Sequence, residues 1–186
     1  RYFSSAASDV YKRQIYNKGR LEIWSRSGST WSFTFGLTGN PVEYMTSAGC
    51  QISGNGKYVV QATNAYKDHP GTPTNPFISI FAKIGGTWSV QQRIEPPKGC
   101  RNVAINNDGD KIVVMSAEDN EVNTGDTVRI YVYTRSGTTW SLANETIIDQ
   151  TAWYASFAQC MNMSGDGNYI GICLLYTSDA ADEKYR

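Results

Sequence analysis

The chain has 186 residues, 17 basic and 17 acidic side chains, a formal net charge of zero and four cysteines. That length fits one ordinary domain, and 40% hydrophobic residues with 12% aromatic ones can form a core, which argues against a disordered chain. Zero net charge offers no basic surface for nucleic acid, and no apolar run in the sequence is long enough to span a membrane.

The two ends of the chain are predicted to be non-native. Residues 1–14 and 173–186 can be encoded by opposite strands of one DNA segment, which resembles the transposase adapter of sequencing libraries. Translated adapter does not belong in fold reasoning, so we expect the protein proper to cover residues 15–172, as part of a larger protein. Three cysteines remain there, and their odd number and wide spacing predict free thiols: Cys50, Cys100 and Cys160.

Residues 15–172 contain a repeat of about 55 residues, the length of one unit in a repeat architecture. One marker is the tryptophan of Thr-Trp-Ser, which recurs as Trp31, Trp88 and Trp140. A second marker is the glycine that closes an Asn-Gly or Asp-Gly turn, which recurs as Gly56, Gly109 and Gly167. The two markers alternate along the chain, which predicts three repeats: roughly 15–65, 66–119 and 120–172.

Each repeat is predicted to contain four strands. The first strands alternate apolar and polar residues with the period of a β-strand: Leu21–Ser25, Ile78–Ala82 and Arg129–Thr134. A glycine turn leads to a second strand that begins at the tryptophan. The third strand ends in the Asn-Gly or Asp-Gly turn, which favours a hairpin because these residues accept positive φ. The fourth strands are Tyr58–Ala62, Lys111–Ser116 and Asn168–Ile172.

Repeated four-stranded antiparallel units of this length are typical of β-propeller blades. Because propellers usually need about four to eight blades to close, the sequence predicts an all-β, partial β-propeller of about three blades from a larger ring. A pair of small β-sandwiches and a β-solenoid are the alternatives. The recurring tryptophans are expected to be structural anchors between blades rather than platforms for sugar stacking.

The segments Val128–Leu142 (VRIYVYTRSGTTWSL) and Phe157–Ile172 (FAQCMNMSGDGNYIGI) resemble the FG-GAP repeat of integrin-α-like propellers. The family's Phe-Gly pair appears here only as Phe157-Ala158. The resemblance implies a blade of a secreted, cell-surface or virion protein, and it implies that such blades can bind calcium through alternate carboxylates on a tight loop.

Three residues have the spacing of that implied calcium loop, and oxygen ligands suit Ca²⁺: Asn106, Asp108 and Asp110. The first repeat has Lys57 at the position of Asp110, which favours ordinary turn chemistry over a shared metal loop. No other cofactor is expected.

The longest connections between predicted blades are residues 64–76 and 118–126. Long loops gathered at one end of a ring are a common binding surface, so we predict that inter-blade loops contact a protein or a glycan. The predicted binding residues are Tyr66, Asp68, His69, Asp119, Glu121 and Asn123.

No catalytic constellation is visible in the sequence. His69 is the only histidine, and no nucleophile with a placed base can be assigned around it. If first strands lined the central channel they would offer Glu22, but Ser79 and Tyr131 at the matching positions. We therefore expect a non-catalytic binding or adhesion module, not an enzyme. The alternatives are a sector of a propeller enzyme acting on glycans, with catalytic residues on missing blades, and a structural spacer.

Overall fold

A computed structural model describes residues 20–38, 49–63, 76–98, 100–118, 126–152 and 160–173. All regular secondary structure within these residues is β-strand. This part of the chain contains no helix that could cross a membrane. The strands are β1 Arg20–Ser27, β2 Thr30–Thr38, β3 Cys50–Ile52, β4 Tyr58–Ala62, β5 Ile78–Ile84, β6 Thr87–Ile94, β7 Asn102–Ile105, β8 Lys111–Glu118, β9 Asp126–Ser136, β10 Thr139–Ala152, β11 Cys160–Met163 and β12 Ile170–Cys173.

The strands form four antiparallel sheets. Two sheets have four strands in the orders β3-β4-β5-β6 and β7-β8-β9-β10, and two have two strands, β1-β2 and β11-β12. The chain is therefore an all-β, partial β-propeller, as the sequence predicted. The sheets differ in phase from the sequence repeats, since each four-stranded sheet joins the last two strands of one repeat to the first two of the next. β12 ends at Cys173, the first residue of the predicted adapter; residues 1–14 and 174–186 lie outside the described residues.

Three hairpins share one irregularity in their pairing. In β1-β2, β5-β6 and β9-β10 a single residue three positions after the tryptophan has no partner, namely Thr34, Gln91 and Ala143. An extra residue of this kind is a β-bulge, which bends the strand and increases its twist. The repeat seen in the sequence is therefore also a repeat of backbone geometry.

Alternate residues of the central strands enter two different cores. In β8, Ile112 and Val114 pack in a cluster shared with the β3–β6 sheet, whereas Val113 and Met115 pack in a cluster shared with β11. Successive side chains of a strand point to opposite faces, so the β7–β10 sheet is covered on both sides.

The β3–β6 sheet is covered in the same way. Val59 and Phe81 pack with β1, and Val60 and Ile80 pack with the β7–β10 sheet. The four sheets consequently stack face to face in chain order, which is how blades pack in a propeller.

Three of the four sheets place an edge strand at a shared axis, namely β3, β7 and β11. The edge strand β7 contacts the edge strands β3 and β11 of the sheets on either side. The expectation that first strands line the channel was wrong: Ser79 and Tyr131 are buried inside their sheets, in the third strand from the axis, and Glu22 lies on β1 beside Arg20. The order of strands within a sheet depends on long-range pairing, which hairpin signals do not reveal.

The turns that follow the inner strands are joined in a row. The backbone N–H of Asn55 donates to the carbonyl of Asn107 at 2.9 Å, and the N–H of Asn107 donates to the carbonyl of Gly165 at 2.9 Å. The Asn107 side chain lies between Gly54 and Gly165, so close that an added Cβ at either glycine would clash with it. The three predicted turn glycines all have positive φ: Gly56 at 66°, Gly109 at 66° and Gly167 at 70°.

The recurring tryptophans differ in exposure. Trp88 and Trp140 are buried between sheets at 6% and 3% exposure, whereas Trp31 is 61% exposed. Trp140 is also held through its backbone, because the Gln92 side chain of β6 accepts from its N–H at 2.8 Å and donates to its carbonyl at 3.0 Å.

The Cys100 thiol belongs to the core between the two four-stranded sheets. It is 2% exposed and its Sγ donates to the carbonyl of Thr63 at 2.9 Å. Burial raises the pKa of this thiol from an ordinary 9.0 to about 12, because the thiolate would lose its hydration. The protonated form therefore adds stability below pH 9.0, and this contribution is lost as the pH rises toward about 12.

We predict that Cys100 resists alkylation in the folded protein. At pH 9.0, iodoacetamide should modify the exposed Cys160 and leave Cys100 unmodified until the chain is denatured, because the reactive species is the thiolate. Mass spectrometry of the digested protein measures both sites at once. Equal labelling of the two thiols under native conditions would contradict the buried position of Cys100.

We also predict that Gly54→Ala destabilises the row of turns. The added methyl group meets the Asn107 side chain, and such overpacking costs about 1–3 kcal/mol. Gly171→Ala is the matched control, since its added Cβ meets nothing within 4 Å. Urea denaturation of both variants decides the question, and equal stability of the two would show that the turns are not tightly joined.

Candidate functional site

The three inner strands border a cleft at the axis. Its volume is about 550 Å³, and its walls come from β3, β11 and β12, the start of β7 and the glycine before β3. The polar side chains and thiols that line it are Cys50, Gln51, Asn102, Cys160, Asn162 and Cys173. Met161 and Ile172 supply the apolar part of the wall.

Gln51 connects the three inner strands. Its Oε1 accepts from the backbone N–H of Ile105 in β7 at 3.3 Å, and its Nε2 donates to Asn162 Oδ1 in β11 at 3.5 Å. An edge strand presents N–H groups that its own sheet cannot pair. Gln51 satisfies one of these groups, so it supports the fold as well as lining the cleft.

Asn102 and Asn162 have the same local geometry. The Oδ1 of Asn102 accepts from the N–H of Val103 at 2.8 Å, and the Oδ1 of Asn162 accepts from the N–H of Met163 at 2.8 Å. These short contacts fix the orientation of each carboxamide. Asn162 is exposed and Asn102 is half-buried, so both side chains border solvent in the cleft.

The sequence-based site prediction did not include these three carboxamides, because it placed the channel on other strands. One signal pointed to two of them: Gln51 and Asn162 occupy the same repeat position, two residues before the turn that follows the inner strand. The middle repeat has Ala104 there, which hid the pattern.

The predicted calcium residues form a turn whose polar groups largely bond to one another. Asn106 Nδ2 donates to Asp110 Oδ1 at 2.7 Å, and Asn106 Oδ1 accepts from the backbone N–H groups of Asp110 and Lys111 at 3.1 Å each. Asp108 is exposed on the same turn. Within the described residues no group of three His, Cys, Asp or Glu side chains is placed to hold a metal, and calcium binding at this turn stays a prediction.

The equivalent turn in β11-β12 uses the same chemistry. The Ser164 hydroxyl donates to the Asp166 carboxylate, which also accepts from the N–H of Asn168 at 3.1 Å. These two hydrogen bonds stabilise the ionised form and lower the pKa of the Asp166 carboxyl below its usual range. The Asp166 carboxylate therefore serves the turn itself.

The predicted loop-face residues lie outside the described residues: Tyr66, Asp68, His69, Asp119, Glu121 and Asn123. The strands that flank them are described. β4 pairs with β5, and β8 pairs with β9. Both connections therefore join neighbouring strands of one sheet rather than two successive blades, and binding through them stays a prediction.

No protein-family profile matches the chain, and no curated protein matches it in sequence. A solved structure with a similar fold is that of a proposed 6-phosphogluconolactonase from Bacteroides fragilis, at 15% sequence identity and a TM-score of 0.46. The alignment covers 72% of this chain and 34% of that protein, so the chain spans about a third of its length.

This match contradicts the sequence-based prediction that the chain is not an enzyme, because the matched protein is described as an enzyme, and we withdraw that prediction. At this level of likeness the match assigns neither an activity nor a substrate to the chain. The FG-GAP relationship and the extracellular location stay predictions from the sequence.

Proposed function

We propose that the chain is a sector of a β-propeller that binds a neutral, hydroxyl-rich ligand, such as a sugar, in the axial cleft. The observation that carries the proposal is the group of three carboxamides, Gln51, Asn102 and Asn162, on the walls of one cleft. Each carboxamide offers both a donor and an acceptor, which matches the hydroxyl groups of a carbohydrate.

The composition of the cleft supports an uncharged ligand. Its lining, as far as the structure describes it, contains no Asp, Glu, Lys or Arg. A volume of about 550 Å³ lies within the usual range of small-molecule sites. Met161 and Ile172 add an apolar surface on which the carbon skeleton of a sugar can lie.

The same cleft fits a second candidate, a sector of a propeller enzyme that acts on glycans. The described lining residues would then bind and orient the substrate, and the acid and base groups would come from other parts of the ring. A place in a surface protein that recognises glycans or proteins, as the FG-GAP resemblance implies, is compatible with either candidate.

We predict that Asn162→Ala weakens binding of a neutral oligosaccharide about fivefold, the effect of losing a hydrogen bond of about 1 kcal/mol. A glycan array identifies the ligand for the 186-residue chain, and isothermal titration calorimetry measures the affinity of each variant. Asn144→Ala is the matched control, because Asn144 is an exposed residue of β10 and does not line the cleft.

Three results are informative. Weaker binding in Asn162→Ala with unchanged binding in Asn144→Ala supports the axial site. Equal affinity of the two variants would show that the ligand binds outside the axial cleft. The absence of binding of any neutral glycan by the folded chain would overturn the proposal. Chromatography of the oligosaccharide after incubation with the complete propeller that contains this sector separates the two candidates, because only an enzyme releases shorter products.

A further inference from the structure

One face of the β1-β2 hairpin carries large apolar side chains that no described sheet covers. Trp24 is 50% exposed, Trp31 is 61% exposed and Phe33 is 48% exposed. In the strand register Trp24 lies opposite Phe33, and Arg26 lies opposite Trp31, so these side chains share one face. The other face of the hairpin is different, because Leu21 and Ile23 are buried against the β3–β6 sheet.

The same aromatic pair recurs in the next two hairpins. An aromatic residue precedes each tryptophan by seven positions, which gives the pairs Trp24 and Trp31, Phe81 and Trp88, and Tyr133 and Trp140. Both members of the second pair are buried, since Phe81 is 0% exposed and Trp88 is 6% exposed. Both members of the third pair are buried as well, since Tyr133 is 4% exposed and Trp140 is 3% exposed. Only the first pair is exposed among the described hairpins.

Both buried pairs are covered by the same kind of side chain. Phe81 and Trp88 share a core with Leu21 and Ile23 of the preceding sheet. Tyr133 and Trp140 share a core with Ile78 and Ile80 of their preceding sheet. In each case two branched aliphatic side chains, two positions apart on the equivalent strand, meet the aromatic pair of the next sheet.

The exposed face is already ordered for contact. The Trp24 and Phe33 rings meet edge to face with centroids 5.8 Å apart, and the indole Nε1 of Trp24 donates to Glu22 at 3.0 Å. Arg20 pairs with Glu22 at 2.9 Å and lies over the Phe33 ring at 5.5 Å. Covering this face would therefore bury a Trp24 donor that is already satisfied, beside the Arg20–Glu22 ion pair and the Arg26 side chain, whose Nε donates to the Gly28 carbonyl.

We propose that the Trp24–Trp31–Phe33 face is a docking surface for one further sheet of the same repeat, which presents two branched aliphatic side chains two positions apart. The partner is defined by the two equivalent interfaces within this chain and not by the axial cleft, so the proposal is independent of the proposed function. A second copy would have to offer its third aliphatic pair, Ile130 and Val132, which already packs with Met161 and Met163 in that copy.

The test adds such a sheet to the chain, with its strands in the same order as in the two described four-stranded sheets. A second copy of residues 49–118 is joined to the N-terminus of the 186-residue chain, with residues 1–19 as the connection. The added β8 can then pair with β1 as β8 pairs with β9, and the added β5 brings copies of Ile78 and Ile80 to the exposed face. The matched control carries Ile78→Ser and Ile80→Ser in the added copy alone.

Fluorine NMR of fluorotryptophan-labelled protein follows each indole, with resonances assigned by Trp24→Phe and Trp31→Phe. The fluorine resonance of an indole changes position between water and heavy water when solvent reaches it. We expect this change to fall several-fold for Trp24 and Trp31 in the extended protein and to stay large in the matched control. Unchanged solvent access in a folded extended protein overturns the proposal. So does an extended protein that fails to fold where the original chain folds. Burial that appears in the original chain and is lost on dilution assigns the face to a second copy instead.

Discussion

Burial of both faces of each four-stranded sheet is the constraint on which the rest of the structure depends. A sheet covered on one face alternates apolar and polar residues, but β8 has apolar residues at four successive positions, from Ile112 to Met115. Two of these side chains pack toward the preceding sheet and two toward the following one. Sheets that are apolar on both sides have to stack, and stacking of twisted sheets brings one edge strand of each to a common axis.

The hairpins and the repeat could be predicted from the sequence, because their signals are local. The glycine tip, the tryptophan and the Asn-Gly or Asp-Gly turn all act within a few residues, and the structure places a hairpin at each. The grouping of hairpins into sheets could not be predicted in the same way. It depends on pairing of β4 with β5 across residues 63–77 and of β8 with β9, and no short hairpin turn marks those pairs because the connections are long. The sheets therefore begin half a repeat later than the sequence units.

The candidate site was missed for a related reason. Once the inner strands are known to be β3, β7 and β11, the polar residues on them stand out, since these strands have only three or four residues each. Without that knowledge, Gln51 and Asn162 are ordinary polar residues near turns. The calcium candidates show the converse: Asn106 and Asp110 have a ligand-like spacing, but the structure uses both side chains to close a turn.

The axis is also where this fold has a chemical reason to carry polar side chains. An inner edge strand has N–H groups on the side away from its sheet, and burying them without partners would be costly. Gln51 meets this need by accepting from the N–H of Ile105, and in doing so it places a carboxamide in the cleft. A polar axial site therefore follows from the way that the sheets stack. The choice of ligand would then depend on the cleft side chains that do not pair a backbone N–H of another strand, above all Asn162, whose Oδ1 accepts from the N–H of Met163 and from Nε2 of Gln51.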